Sequence, residues 1–244
     1  MTTLLILAAA IFLMAALYSS VGHAGASGYL AALALAGTPP AVMKPTALTL
    51  NILVALVATV RFYRAGYFSW RVLLPFALSS VPFAFLGGAL TLPGSVYQRL
   101  VGAALLFAAF RLWMRAAARA DSGAKPAPLP AAVALGAGIG LLSGMTGVGG
   151  GIFLSPVLLL AGWAETRQAS GVAAAFILVN SAAGLAGHVA GVASVPDSIY
   201  LWGAAAVAGG LVGTELGRRR LATVTLRRVL SAVLVVAGAK MILS

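Results

Sequence analysis

The chain has 244 residues, of which 16 are basic, 4 acidic and none cysteine; hydrophobic types make up 61% and charged types 8%. An ordinary soluble domain carries about 25% charged residues, so a soluble fold of this composition would expose far more apolar surface than a monomer tolerates. That excludes a cytosolic enzyme and a disordered tail, and the absence of cysteine removes disulfides and thiolate metal sites. The net charge of +12 is not a nucleic-acid signal, because the basic residues sit in short clusters between apolar runs, as in membrane loops. The chain takes lipid as its solvent.

A helix needs about 20 apolar residues to cross a bilayer. Long apolar runs lie at 3–20, 45–60, 72–92, 98–114, 169–190, 199–216 and 225–243. Shorter ones lie at 25–37, 130–143 and 150–162, bounded by glycine clusters. Strand-like alternation is absent, so the predicted class is an all-α, polytopic integral membrane protein. The N-terminus has no basic residue before Lys44. It lacks the charged start of a signal peptide, and the first run is read as a retained helix.

The polar linker at 118–129 divides the chain near its middle and prompts a search for repeats. Gly22-His-Ala-Gly25-Ala-Ser27-Gly28 faces Gly144-Met-Thr-Gly147-Val-Gly149-Gly150-Gly151. Tyr63-x-x-Gly66 faces His188-x-x-Gly191, Phe85-Leu-Gly-Gly faces Leu211-Val-Gly-Thr, and the run Arg99–Arg111 faces Arg228–Lys240. The domains predicted are a first repeat at 1–117, a cytoplasmic linker at 118–129 and a second repeat at 130–244, with five hydrophobic segments per half.

Loop charge sets orientation. Arg61, Arg64 and Arg71 lie in a first-half loop whose counterpart, 191–198, has no basic residue and one acid, Asp197. Conversely, Arg99 stands alone where the counterpart carries Arg218, Arg219, Arg220, Arg227 and Arg228. Strong loops face weak ones, as in two halves inserted upside down relative to each other. The linker, with Arg111, Arg115, Arg119 and Lys125 nearby, falls on the positive side. Both termini are then expected outside, in a bacterial inner membrane.

The second glycine cluster joins two short runs. It predicts either a re-entrant hairpin or two tilted spans with an unwound joint. Both place backbone N–H groups deep in the membrane, where exposed backbone is tolerated only inside protein or against a wet cavity. A helix N-terminus offers unpaired donors and a partial positive charge, and so binds anions. Glycine lets the ligand approach the backbone closely. The first cluster reaches a similar depth from the other face. The competing reading is close helix packing, which suits Gly136, Gly140, Gly209, Gly213 and Gly217; the helix bearing the last three is also a possible homodimer seam.

The paired clusters, the second reading GVGGGIFLSPVLL from Gly147, together with the Tyr/His-x-x-Gly landmarks, resemble the TauE/SafE family of sulfite and organosulfur-anion exporters. The resemblance spans nearly the whole chain. It implies an anion-exporting membrane permease with no cofactor.

Asn51 and Asn180 sit within apolar runs, as interhelical hydrogen bonds or substrate donors. Thr46, Thr49 and Ser170 are read as helix caps, and Lys44 as an interfacial anchor. An intramembrane histidine such as His23 is a functional candidate; with His188 it makes a poor metal site, and no metal is expected. Glu215 is expected to pair with Arg218, Arg219 and Arg220. No span carries a carboxylate pair, so the usual proton or sodium relay is missing. Export of an anion needs none, because an inside-negative potential contributes about 2.3 kcal/mol per charge per 100 mV.

The predicted activity is therefore not enzymatic: a permease exporting a small anion (sulfite, sulfonate or a related organic anion) by alternating access. The binding candidates are Gly147, Gly149, Gly150 and Gly151 with Gly25, Ser27 and Gly28, and, second in rank, Thr146, His23, Asn51 and Asn180. The alternatives are a membrane enzyme acting on lipid phosphates, for which only His23 qualifies, and a non-transporting subunit of a membrane complex.

Overall fold

The computed structural model describes residues 2–20, 22–114, 125–188, 195–218 and 224–243. The described residues are all-helical. They form α1 (Thr2–Ser19), α2 (Ala26–Leu35), α3 (Pro40–Arg64), α4 (Trp70–Ala89) and α5 (Gly94–Met114), then α6 (Leu129–Thr146), α7 (Gly151–Leu160), α8 (Thr166–Gly187), α9 (Ile199–Arg218) and α10 (Val224–Leu243). Six of these helices are long and apolar enough to cross a membrane, so the chain is a polytopic membrane protein. The order long, short, long, long, long occurs twice.

One expectation needs correction. The run 130–143 looked too short to cross, but α6 has 18 residues and qualifies as a span. The helix continues through Gly144 to Thr146 because Gly144 packs on α4: a Cβ there would stand 2.1 Å from the Ala84 carbonyl oxygen. Packing outweighs glycine's poor helix propensity. α2 and α7, at ten residues each, remain short.

Helix α3 and helix α8 form the centre. Of their most apolar stretches 61% and 67% is buried, against 33–39% in the other four spans. Large apolar side chains such as Leu78, Phe110 and Trp113 point outward as a lipid-facing surface would. Glycine ridges set two close parallel contacts. Gly136, Gly140 and Gly144 of α6 meet the carbonyls of Phe76, Ser80 and Ala84 on α4. Gly209, Gly213 and Gly217 meet those of Phe12, Ala16 and Ser20, placing α9 against α1. Gly136, Gly140, Gly209, Gly213 and Gly217 are packing residues, as expected, and Gly144, read from sequence as part of the second cluster, joins them. The proposed dimer seam on α9 is thereby corrected, since α1 of the same chain occupies that face.

Hydrogen bonds fix where each short helix returns. The Lys125 amide, just before α6, donates to the Gly162 carbonyl just after α7, at 2.8 Å. The α6–α7 pair thus leaves and regains the same end of the bundle. At the other end Lys240 Nζ donates to the Ala34 carbonyl at the close of α2, at 2.9 Å.

Candidate functional site

Two breaks interrupt the bundle. The first lies between α1 and α2, with Gly22 at φ 81° and Gly25 at φ 108°; the second lies between α6 and α7, with Gly147, Gly149 and Gly150 at φ 80–83°. An L-residue in this left-handed region costs about 1–2 kcal/mol, so the sequence must spend glycine there. Gly25 and Gly150 are the N-caps of α2 and α7, and Gly147 caps the end of α6. Gly37 and Gly162, also at positive φ, follow the short helices. One constant sequence offset pairs Gly22 with Gly147, Gly25 with Gly150 and Gly37 with Gly162. Gly22 therefore matches Gly147, three residues beyond its partner in the sequence alignment.

The depth of the second break follows from its neighbours. A Cβ on Gly149 would stand 2.7 Å from Asn51 Nδ2 and 3.0 Å from Ser181 Oγ; one on Gly150 would stand 2.9 Å from the Phe176 ring, and one on Gly151 2.5 Å from Ile177. Asn51 is the twelfth of 25 residues in α3, and Phe176 and Ile177 are the eleventh and twelfth of 22 in α8. The start of α7 therefore abuts the middle of the two central helices. Length agrees: ten residues at 1.5 Å each span about 15 Å, half of a 30 Å hydrocarbon core.

Every residue of both breaks is buried among those described, 22–28 and 146–151. The first break also touches α7. His23 Nε2 and Ser155 Oγ of α7 lie 3.1 Å apart, and Ser155 Oγ also donates to the Gly151 carbonyl at 2.8 Å. Gly22 packs on Ser170 and Gly147 on Lys44. Ser170 and Lys44 are each the fifth residue of their helix, α8 and α3, so the breaks enter from opposite ends of the bundle.

The remaining predicted residues divide. Ser27 is buried at the second position of α2, and Gly28 at the third packs on Met14 of α1. Thr146 ends α6, but its hydroxyl turns back to the Leu142 carbonyl at 2.7 Å, and its own carbonyl accepts from Tyr97 OH at 3.3 Å. Asn51 lies against the second break, where Nδ2 donates to Ser181 Oγ at 3.3 Å and Oδ1 finds no partner among the described residues. Asn180 stands apart: Nδ2 donates to the Phe176 carbonyl at 2.8 Å and Oδ1 accepts from Ser80 Oγ. It clamps α8 to α4. Asn180→Leu should destabilise the fold by about 1 kcal/mol, the scale of an interhelical bond in lipid, and leave half-saturation for substrate unchanged. A thermal melt and a transport titration of the variant check both.

Sequence reasoning missed several polar groups around the breaks. Ser181 and Ser155 gave no signal, because serine is common in membrane helices. Ser143 on α6, Ser19 on α1 and Thr46 on α3 are buried hydroxyls without a partner among the described residues. An unmet buried polar group costs about 1–3 kcal/mol, so these positions call for a ligand or water. The capping role given to Thr46, Thr49 and Ser170 is corrected. Helix α3 begins at Pro40, Thr49 bonds back to the Pro45 carbonyl at 2.9 Å, and Ser170 to the Thr166 carbonyl at 3.1 Å. Lys44 is no interfacial anchor either, being only 5% exposed. Gly191, Arg219, Arg220, most of the linker and the side chains of Arg218, Arg227 and Arg228 lie outside the described residues.

A family model described as sulfite exporter TauE/SafE matches residues 7–241. The chain belongs to the TauE/SafE family. A relative from Sinorhizobium fredii (strain NBRC 101917 / NGR234), named "Probable membrane transporter protein y4hK", is 41% identical over 239 residues, covering 97% of each chain. No solved structure matches. Family membership and this relative make the TauE/SafE chain a membrane transporter and not an enzyme.

Proposed function

We propose that this TauE/SafE protein exports a small anion, of the sulfite, sulfonate or related organic class, by alternating access around the starts of α2 and α7. One observation carries the reading: two buried glycine-built breaks, the first touching α7 through His23 and Ser155, with the α7 N-terminus against the middle of α3 and α8. The first N–H groups of each short helix have no carbonyl partner in their own helix. Gly150 and Gly151 present such groups at the start of α7, next to Gly149, which lies beside Asn51 Nδ2 and Ser181 Oγ, with Gly25, Ser27, Gly28 and His23 on the other break. Donors without a carboxylate suit an anion. Thr146, whose hydroxyl bonds back to the Leu142 carbonyl and accepts from the Val148 amide, and Asn180, which ties α8 to α4, are left out of this set.

The two halves, 1–117 and 130–244 around the linker 118–129, are read as inverted repeats. The constant glycine offset supports this. So does direction: α3 meets its counterpart α8 antiparallel, and α5 meets α10 antiparallel through Gly102 with Gly238 and Ser231 with Ala109. Counterparts that oppose each other are what a two-fold axis in the membrane plane requires. The loop-charge pattern then puts both termini outside a bacterial inner membrane, and the membrane potential drives the anion outward without a coupling ion.

A thermal-shift screen of the purified protein with sulfite, thiosulfate, sulfonates and small carboxylates tests the reading. Ligand occupancy of the native state raises the midpoint temperature in a saturable way. At least one of these anions should do so, and sodium or potassium salts of the same anion should act alike. A flat response to every anion contradicts the proposal.

A further inference from the structure

Lys44 is a buried cation at the mouth of the second break. Its backbone and Cγ lie against the Gly147 position, within 3.3–3.6 Å of where a Cβ would be. Its ammonium reaches the carbonyls ending α4, Gly87 at 3.4 Å, Gly88 at 2.9 Å and Leu90 at 3.4 Å. Only the Gly88 bond falls in the ordinary N–H···O range. No carboxylate pairs with it among the described residues. A helix C-terminus supplies about half an elementary charge, so α4 alone does not neutralise a full ammonium, and a buried charge needs a close counter-charge. The nearby titratable neighbour is His188, beyond the end of α8. Burial, and then the charge of Lys44, hold its imidazole below the ordinary histidine range, against a smaller opposing effect of its bond to the Gly88 backbone.

We propose that Lys44 is the counter-charge for the transported anion, a small oxyanion whose oxygens replace the two long carbonyl contacts on its way to or from the start of α7. This rests on the anion-permease reading above. It also makes the path one-sided. The matched position in the second half is Ser170, with Gly22 packed on it as Gly147 packs on Lys44. One access state then holds the anion against a cation and the other against a hydroxyl, so the two faces bind the same anion with different affinity.

The test uses the purified full chain in proteoliposomes with sulfite as probe. K44Q should raise half-saturating sulfite at least tenfold, with the anion-free melting temperature and maximal flux near wild type, and K44R should recover most of the loss. A residue that only closes α4 would instead lower the melting temperature and maximal flux with half-saturation unchanged, and that result overturns the proposal. A second measurement needs no variant. The chain has three lysines, Lys44, Lys125 and Lys240, so side-chain 15N NMR of labelled lysine resolves them. The Lys44 signal should shift with sulfite and saturate alongside the flux. An unmoved Lys44 signal beside intact wild-type flux defeats this inference alone, whereas wild-type protein indifferent to sulfite in both assays defeats it together with the anion reading.

Discussion

Gly149→Ala should abolish anion flux, by a hundredfold or more, while Gly138→Ala leaves it intact. Gly149 sits at φ +83°, and a Cβ there would stand 2.7 Å from Asn51 Nδ2, 2.8 Å from Ile177 and 3.0 Å from Ser181 Oγ. The left-handed backbone costs alanine about 1–2 kcal/mol, and forcing a methyl into a filled core about 1–3 kcal/mol more. The chain relieves that strain by turning the 147–151 backbone away from α3, which moves the donors of α7 off the anion. Gly138 is helical, and nothing lies within 4 Å of its added Cβ. Gly150→Ala separates folding from function: it meets the edge of the Phe176 ring at 2.9 Å, a side chain that can rotate. It should fold better than Gly149→Ala yet still transport poorly. Melting curves and sulfite flux, measured on all three variants, check this. Normal flux through a folded Gly149→Ala protein is the adverse outcome.

Gly144→Val should be the most destabilising single change in the seam between α4 and α6, by about 3 kcal/mol or more. An added Cβ would lie 2.1 Å from the Ala84 carbonyl oxygen and 2.7 Å from the Gly88 amide nitrogen. Both are backbone atoms and cannot rotate out of the way, so the helices must separate. Membrane helices lack a hydrophobic drive to stay together and hold by close contact, which separation removes. It also pulls Gly147 away from Lys44 and disturbs the break. The control is Gly94→Ala, at a position open to at least 4 Å, which should melt with wild type. Size-exclusion profiles and melting temperatures in detergent measure the difference, and a Gly144→Val protein as stable as Gly94→Ala would contradict so tight a seam.

Much of the architecture was legible because lipid imposes simple rules. Apolar length marked the long helices, and the glycine spacing marked where the short ones begin. The extent of α6 was not legible, since a run ending in Gly-Met-Thr-Gly reads as a break until Gly144 is seen to need no side chain against Ala84. The glycines of the second break were found from sequence because positive φ and close approach demand glycine. Their polar surroundings were harder to read. Asn51 was named, whereas Ser181 and Ser155 carry no periodic or compositional signal and gain meaning only when α3, α7 and α8 come together. Lys44 misled for a physical reason. A lone lysine between prolines near a helix start usually reaches for headgroups, and only the fold turns it inward to the carbonyls of Gly87 and Gly88. The glycine-dense stretches align three residues away from the structural match, because positive φ, not glycine density, marks the equivalent positions.

The most direct test is a structure of the protein soaked with selenite, a heavier analogue of sulfite, with data collected at the selenium edge. An anomalous peak should lie within hydrogen-bonding reach of the Gly149–Gly151 amides, between α3 and α8. A peak confined to the loops at either end of the bundle, with the two glycine breaks packed and empty, would show that the helix starts serve packing and that the anion takes another route.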